Sequence, residues 1–215
     1  MLLIDKRERW GLTLWGWLAA LILVGMALVG GARNIHGFLA TDSPVRGEVL
    51  VVEGWIPDYA ILGAVSEFKG NGYRLLIAVG GPIAVGSHVS GFKSYAELAR
   101  VRLKASGIDC SRMVVLETEG VARDRTFQSA IAVKAWASSD LADLRGLDVY
   151  TLGAHARRSR LLYRKALGDE VAVGVIAAGD ENYDPNAWWT SSSGVRTVLG
   201  EAIAYGYAVV LGSGF

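Results

Sequence analysis

Between Arg9 and Arg33 the chain carries no charged residue, and this run, Trp10–Ala32, constrains what the whole can fold into more than any other feature. Its 23 residues, at a helical rise of about 1.5 Å each, cover the roughly 30 Å of a bilayer's hydrocarbon core. A helix that is apolar on every side needs lipid or a large core around it. Trp10, Trp15 and Trp17 gather at the entry end, where amphipathic rings favour the headgroup zone, and the glycines at 11, 16, 25, 30 and 31 are tolerated in lipid. The expectation is an uncleaved anchor over 10–32, preceded by a cytoplasmic N-terminus 1–9 and followed by a linker 33–46 and a domain 47–215. A cleaved secretory signal is the competing reading. Its apolar region normally runs about 7–15 residues, although Gly30 and Ala32 resemble the small residues of a cleavage site. Lys6, Arg7 and Arg9 before the run, against Arg33 and Arg46 after it, place the globular part outside the cytoplasm by the positive-inside rule.

Three of the 22 basic and two of the 21 acidic residues precede the run, which leaves 19 of each beyond it. That balance disfavours a nucleic-acid partner, which normally demands a basic field. The single cysteine, Cys110, allows no intramolecular disulfide and no cysteine-based metal site. His36, His88 and His155 lack metal-ligand spacing, so no metal is expected. The 183 residues past Ala32 suit one domain with a sizeable core.

Within that domain, short apolar runs alternate with longer amphipathic stretches, the pattern of strand–helix units on a parallel sheet. The runs Val49–Val52, Leu75–Val79, Met113–Leu116, Val149–Leu152 and Val171–Ala177 are nearly continuous, as strands covered on both faces are. The stretches Asp58–Lys69, Ser94–Ser106, Thr126–Ser138, His155–Leu167 and Val195–Tyr207 carry helical spacing. The apolar tail Ala208–Phe215 is too short to span and is expected in the core or at a sheet edge. The fold predicted is α/β, a Rossmann-like three-layer sandwich with a mainly parallel sheet, behind one transmembrane helix.

In such sheets ligands bind beyond the carboxyl ends of the strands, so the residues after each run carry the functional expectation. Glu53 ends an apolar strand before Gly54 and Trp55, a place for a cation ligand or general base, or for a carboxylate paired with a nearby arginine. Gly80-Gly81 permits close approach of backbone to a ligand, or simply a tight turn. Arg123, Arg125, His155, Arg157 and Arg158 put positive charge at helix starts, against the dipole, at a cost of about 0.3–1 kcal/mol each when exposed. An anion shared by those termini reverses that cost, while Asp124, Glu117 or Glu119 could neutralise the arginines instead. Glu97 reads as an acid or as a solvated helix carboxylate, and Trp55, Trp188 and Trp189 as pocket lining or core filling. No G-x-G-x-x-G, no Walker-type loop and no G-x-S-x-G elbow occurs.

Over residues 46–207 the chain resembles the bacterial envelope-associated SanA/YdcF/ElyC family. The resemblance is carried by Val49–Val52 and its turn, Gly80-Gly81, Ser94-Tyr95-Ala96-Glu97, Arg125-Thr126-Phe127-Gln128-Ser129-Ala130, and Thr151 to Ser159 with His155 and Arg158. It departs where Glu53-Gly54-Trp55 replaces a glycine-rich turn and where Arg125 and Ser129 replace asparagines. The resemblance implies a Rossmann-like fold and a role in peptidoglycan or lipid-carrier homeostasis at the bacterial inner membrane. Residues and resemblance together make Glu53 and Glu97 the expected catalytic residues, as acid/base or cation-holding groups, with Gly54, Trp55, Gly80, Gly81, Arg125, Thr126, Ser129, His155 and Arg158 binding a phosphate-bearing or lipid-linked small molecule. The competing expectations are a non-catalytic or regulatory module of envelope assembly and an S-adenosylmethionine binder; cofactor and oligomeric state are left open.

Overall fold

The structure, a computed structural model, describes residues 12–83, 91–120 and 124–210. Lys6, Arg7, Arg9, Trp10, His88, Arg123 and the tail beyond Val210 lie outside the described residues. Five strands, β1 (Val49–Glu53), β2 (Leu75–Gly80), β3 (Met113–Glu117), β4 (Gly146–Leu152) and β5 (Ala172–Ala178), form one sheet. Its order is β3-β2-β1-β4-β5, and every pairing is parallel. The helices are α1 (Leu14–Leu39), α2 (Asp58–Gly70), α3 (Tyr95–Ala105), α4 (Arg125–Asp140), α5 (Ala156–Leu167) and α6 (Ser192–Val210).

Successive strand side chains point to opposite faces, and both faces are covered. Val49, Val51, Ile77, Val79, Leu147 and Val149 pack against α4 and α5. Leu50, Val52, Leu76 and Ala78 pack against α2 and α3. This is the three-layer Rossmann-like sandwich, and double coverage is why the strands read as unbroken apolar runs. The chain winds outward from β1 through β2 to β3 and then returns to the other side of β1 for β4 and β5. Where that order reverses, beyond the carboxyl ends of β1 and β4, a crevice must open.

α1 has 26 residues and is long and apolar enough to cross a membrane, with none of its apolar window buried. Thr13 caps it, its hydroxyl accepting from Gly16 N at 3.2 Å. The expected linker 33–46 is half replaced by structure, because α1 runs on to Leu39. Leu39 is buried in a third cluster with Ala154, Tyr183, Trp188 and Val198, against which Ala32 and Ile35 also pack. Burial of one side of the extra two turns keeps them helical. The rest is tied down too: Ser43 N donates to Val175 O at 2.8 Å, and Val175 N returns a bond to Ser43 O at 3.2 Å. Of the apolar tail Ala208–Phe215, the described residues show Ala208 buried inside α6 and Val209 and Val210 exposed on that helix.

Candidate functional site

The crevice at the switch point is a cleft of about 550 Å³. Glu53, Trp55, Gly80, Gly81, Arg125, Thr126, Ser129, His155 and Arg158, nine of the eleven expected residues, line it, joined by Glu201. Chain order alone separates these side chains widely; the parallel sheet gathers them by bringing the ends of β1, β2 and β4 to one edge.

Glu53, the last residue of β1, is 2% exposed. The Thr151 hydroxyl of β4 donates to its Oε2, and the Ser159 hydroxyl of α5 lies 3.3 Å and 3.4 Å from Oε1 and Oε2. Neither donor is charged, and among the described residues no arginine forms an ion pair with this carboxylate. The ring facing it is that of His155, whose Nε2 stands 3.6 Å from Glu53 Oε2 and 3.4 Å from Thr126 Oγ1.

His155 reaches that position through a 3-10 turn, Gly153–His155, that follows β4 directly. Gly153 has φ +44°, in the left-handed region that glycine tolerates best. The ring is oriented from behind by Glu201 of α6, whose Oε1 is 2.9 Å from Nδ1. Arg158 Nη2 also reaches Nδ1, at 3.0 Å, so that nitrogen sits between a carboxylate that accepts and a guanidinium that donates, and Nε2 is the nitrogen on the Glu53 side. Trp55 stands edge-on to the imidazole, ring centres 5.1 Å apart.

Glu201 also receives Arg158, Nε to Oε2 at 2.8 Å and Nη2 to Oε1 at 3.0 Å, a two-point pairing. Burial alone would push the Glu201 carboxyl up, but the hydrogen bonds and charges of His155 and Arg158 outweigh it and hold it at about 2. Burial likewise works against the Arg158 cation, and Glu201 more than compensates, leaving its pKa raised. Arg158 is therefore paired chiefly with Glu201, with Glu53 and Asp124 adding to its stabilisation, and it is not a free anion clamp. Arg157 leaves the cleft altogether: its guanidinium lies 3.9 Å from the Phe38 ring centre, and its Nε bonds the Phe38 carbonyl.

Arg125 opens α4 at the cleft, exposed, with no hydrogen bond or ion pair among the described residues. One turn later Ser129 is only 8% exposed and its hydroxyl also has no partner among those residues. Because Ser129 lines the cleft, its hydroxyl is open to a polar ligand there. The preceding Asp124 is held in the left-handed region, φ 55°, with no side-chain cap bond to α4.

Two expected residues are placed elsewhere. Glu97 does not line the cleft: its Oε2 accepts from Lys93 N at 3.2 Å, while its own N–H donates to Ser94 Oγ at 3.1 Å. That is an N-terminal cap of α3, the fate a Ser-x-x-Glu sequence favours on local grounds. Gly54 is also absent from the lining. A Cβ there would lie 2.4 Å from Tyr95 O, so glycine is needed for α3 to approach β1. The turn is then held by Arg102, through Gly54 O at 3.4 Å and Ile56 O at 2.8 Å.

Glu201 is the residue that sequence reading missed. Its one signal is that it is the only acid in α6, inside the largely apolar stretch Val198–Val210. A lone charge there demands a partner. Among the described residues no group of three or more His, Cys, Asp or Glu side chains is arranged to hold a metal ion.

Sheet order and cleft together define a Rossmann-like α/β protein whose switch-point crevice carries a glutamate–histidine–glutamate chain. No protein-family model matches the chain, and no curated protein matches it.

Proposed function

We propose that this is a single-pass protein of a bacterial inner membrane whose extracytoplasmic α/β domain binds a phosphate-bearing, lipid-linked envelope metabolite and carries out acid–base chemistry on it. The observation that carries the reading is the pairing, within one cleft, of unengaged donors with a mounted proton-transfer group. Arg125 and the Ser129 hydroxyl offer charge and hydrogen bonds to an anion at the start of α4. Opposite them, His155 presents Nε2 beside Glu53, with Nδ1 anchored on Glu201. A histidine oriented by a carboxylate can take a proton from a hydroxyl or water and return it to a leaving oxygen. Glu53 stabilises the imidazolium formed in between. The membrane assignment draws on the length and apolarity of α1 and on the basic residues flanking the run. The resemblance to envelope-associated proteins supports the choice of ligand class.

A thermal-shift series on the full chain in detergent tests the binding step, using inorganic phosphate, a short-chain polyprenyl phosphate, nucleotide sugars and S-adenosylmethionine. A hundredfold excess over the dissociation constant stabilises by about 2.7 kcal/mol. The expected result is a shift with the polyprenyl phosphate that Arg125→Ala abolishes. A shift with S-adenosylmethionine alone, or none at all, overturns the reading.

A further inference from the structure

The junction between α1 and the domain is a fixed seat. Trp188, in the 3-10 turn Trp188–Thr190 that precedes α6, donates its indole N–H to Ala32 O at 2.9 Å. Ala32 is the last residue of the uncharged run. Higher on the same helix, His36 meets Tyr183 edge-on at 5.6 Å, Phe38 meets Tyr205 at 5.7 Å, and Leu39 is buried. The loop between β5 and α6 thus grips α1 at the level where its apolar surface ends.

That level is marked by two further side chains. Arg33 is exposed and makes no hydrogen bond or ion pair among the described residues. Trp189 packs edge-on to Trp188, ring centres 5.8 Å apart, yet is 40% exposed. A tryptophan and an arginine at the end of an apolar span are the residue types that settle at a bilayer's headgroup zone.

We propose that the β5–α6 loop, with Trp189 as its exposed ring and Arg33 beside it, is a second membrane-contact surface that rests on the headgroups and fixes the height of the cleft. The proposal rests on the reading of α1 as a span. From Ala32 to Leu39 the helix rises about 10 Å, against an interfacial layer of roughly 5–7 Å on each side of the hydrocarbon. Leu39 packs against Ala154, the neighbour of His155, so the histidine stands just above the lipid phosphates. A lipid-borne phosphate could then enter the cleft with its chain still in the membrane.

The test places an environment-sensitive fluorophore on single cysteines of the full chain in nanodiscs and measures quenching by lipids spin-labelled at the headgroup or mid-chain. The native Cys110, exposed at the opposite end of the sheet, is one site. Thr190→Cys and Leu28→Cys, each in a Cys110→Ser background, are the others. The expected result is headgroup quenching at 190 at least twofold stronger than at 110, with 28 quenched by the mid-chain label. Quenching at 190 no stronger than at 110, with 28 still quenched, overturns the contact surface and leaves the span intact. Loss of quenching at 28 as well overturns both.

Discussion

The two ends of the sheet each bury a carboxylate, and they use it in opposite ways. At the amino end, Asp148 of β4 is fully enclosed and saturated: it accepts from Val45 N at 2.7 Å, Gly47 N at 3.3 Å and the Tyr73 hydroxyl at 3.0 Å. The phenol is correspondingly pushed up, by burial first and by Asp148 second. Gly174 has no side chain because a Cβ would lie 1.8 Å from Asp148 Oδ1. At the carboxyl end, Glu53 is nearly as buried, but its donors are two hydroxyls and its remaining neighbour is a titratable ring that opens on the cleft. A buried acid closed off by backbone donors locks the chain after α1 onto the sheet. One left facing a histidine across a cavity is available for chemistry.

Breaking the closed end should have the larger effect on stability. Asp148→Ala strands two backbone N–H groups and leaves the Tyr73 phenol with Glu67 alone, and is expected to cost roughly 3 kcal/mol in denaturant unfolding, leaving the affinity of the folded fraction for phosphate-bearing ligands unchanged. A cost below about 1 kcal/mol would remove the distinction between the two ends.

Glu201 tests whether the open end is a mounted device or a second structural knot. A carboxyl lowered from 4.5 to about 2 contributes about 3 kcal/mol near neutral pH. Because the folded value lies below the unfolded one, that stability is complete above pH about 4.5 and is lost as pH falls towards 2. Stability curves of the native chain and Glu201→Gln should therefore converge between neutral pH and pH 3; parallel curves would refute the pairing.

Arg125→Ala sharpens the contrast from the ligand side. An exposed arginine without a partner is expected to change stability by less than about 0.5 kcal/mol, yet its loss should weaken anion binding by a factor of about ten or more. Titration calorimetry with the polyprenyl phosphate measures it directly. The smallest effect belongs to Glu97→Gln, which should cost less than about 1 kcal/mol through the α3 cap and leave binding intact. A loss of binding would return Glu97 to the site.

Legibility followed the range of the interaction. The strand Val49–Glu53 and the helix Asp58–Gly70 emerge where their local patterns place them, within a residue or so, because burial on both faces and helical periodicity are written in consecutive residues. The rule that ligands gather beyond strand ends pointed to Glu53, Gly80, Gly81, Arg125 and His155, which the sheet brings into one cleft. Glu97 and Gly54 fall outside the cleft lining, where a cap and a close backbone approach place the same residue types at helix and strand ends. The extension of α1 through Arg33–Leu39 was hidden because its polar and glycine residues suit a linker until Leu39 finds Ala154 and Val198.

By itself, then, the sequence determined the apolar helix, the α/β alternation and the edge at which a site must form, since each follows from the spacing of neighbouring side chains. The tertiary structure decided which charges meet. His155 finds Glu201 46 positions away, and Glu53 finds Thr151 98 positions away. Strand order and helix docking create those encounters, and neither leaves a local periodicity from which the partner could be read.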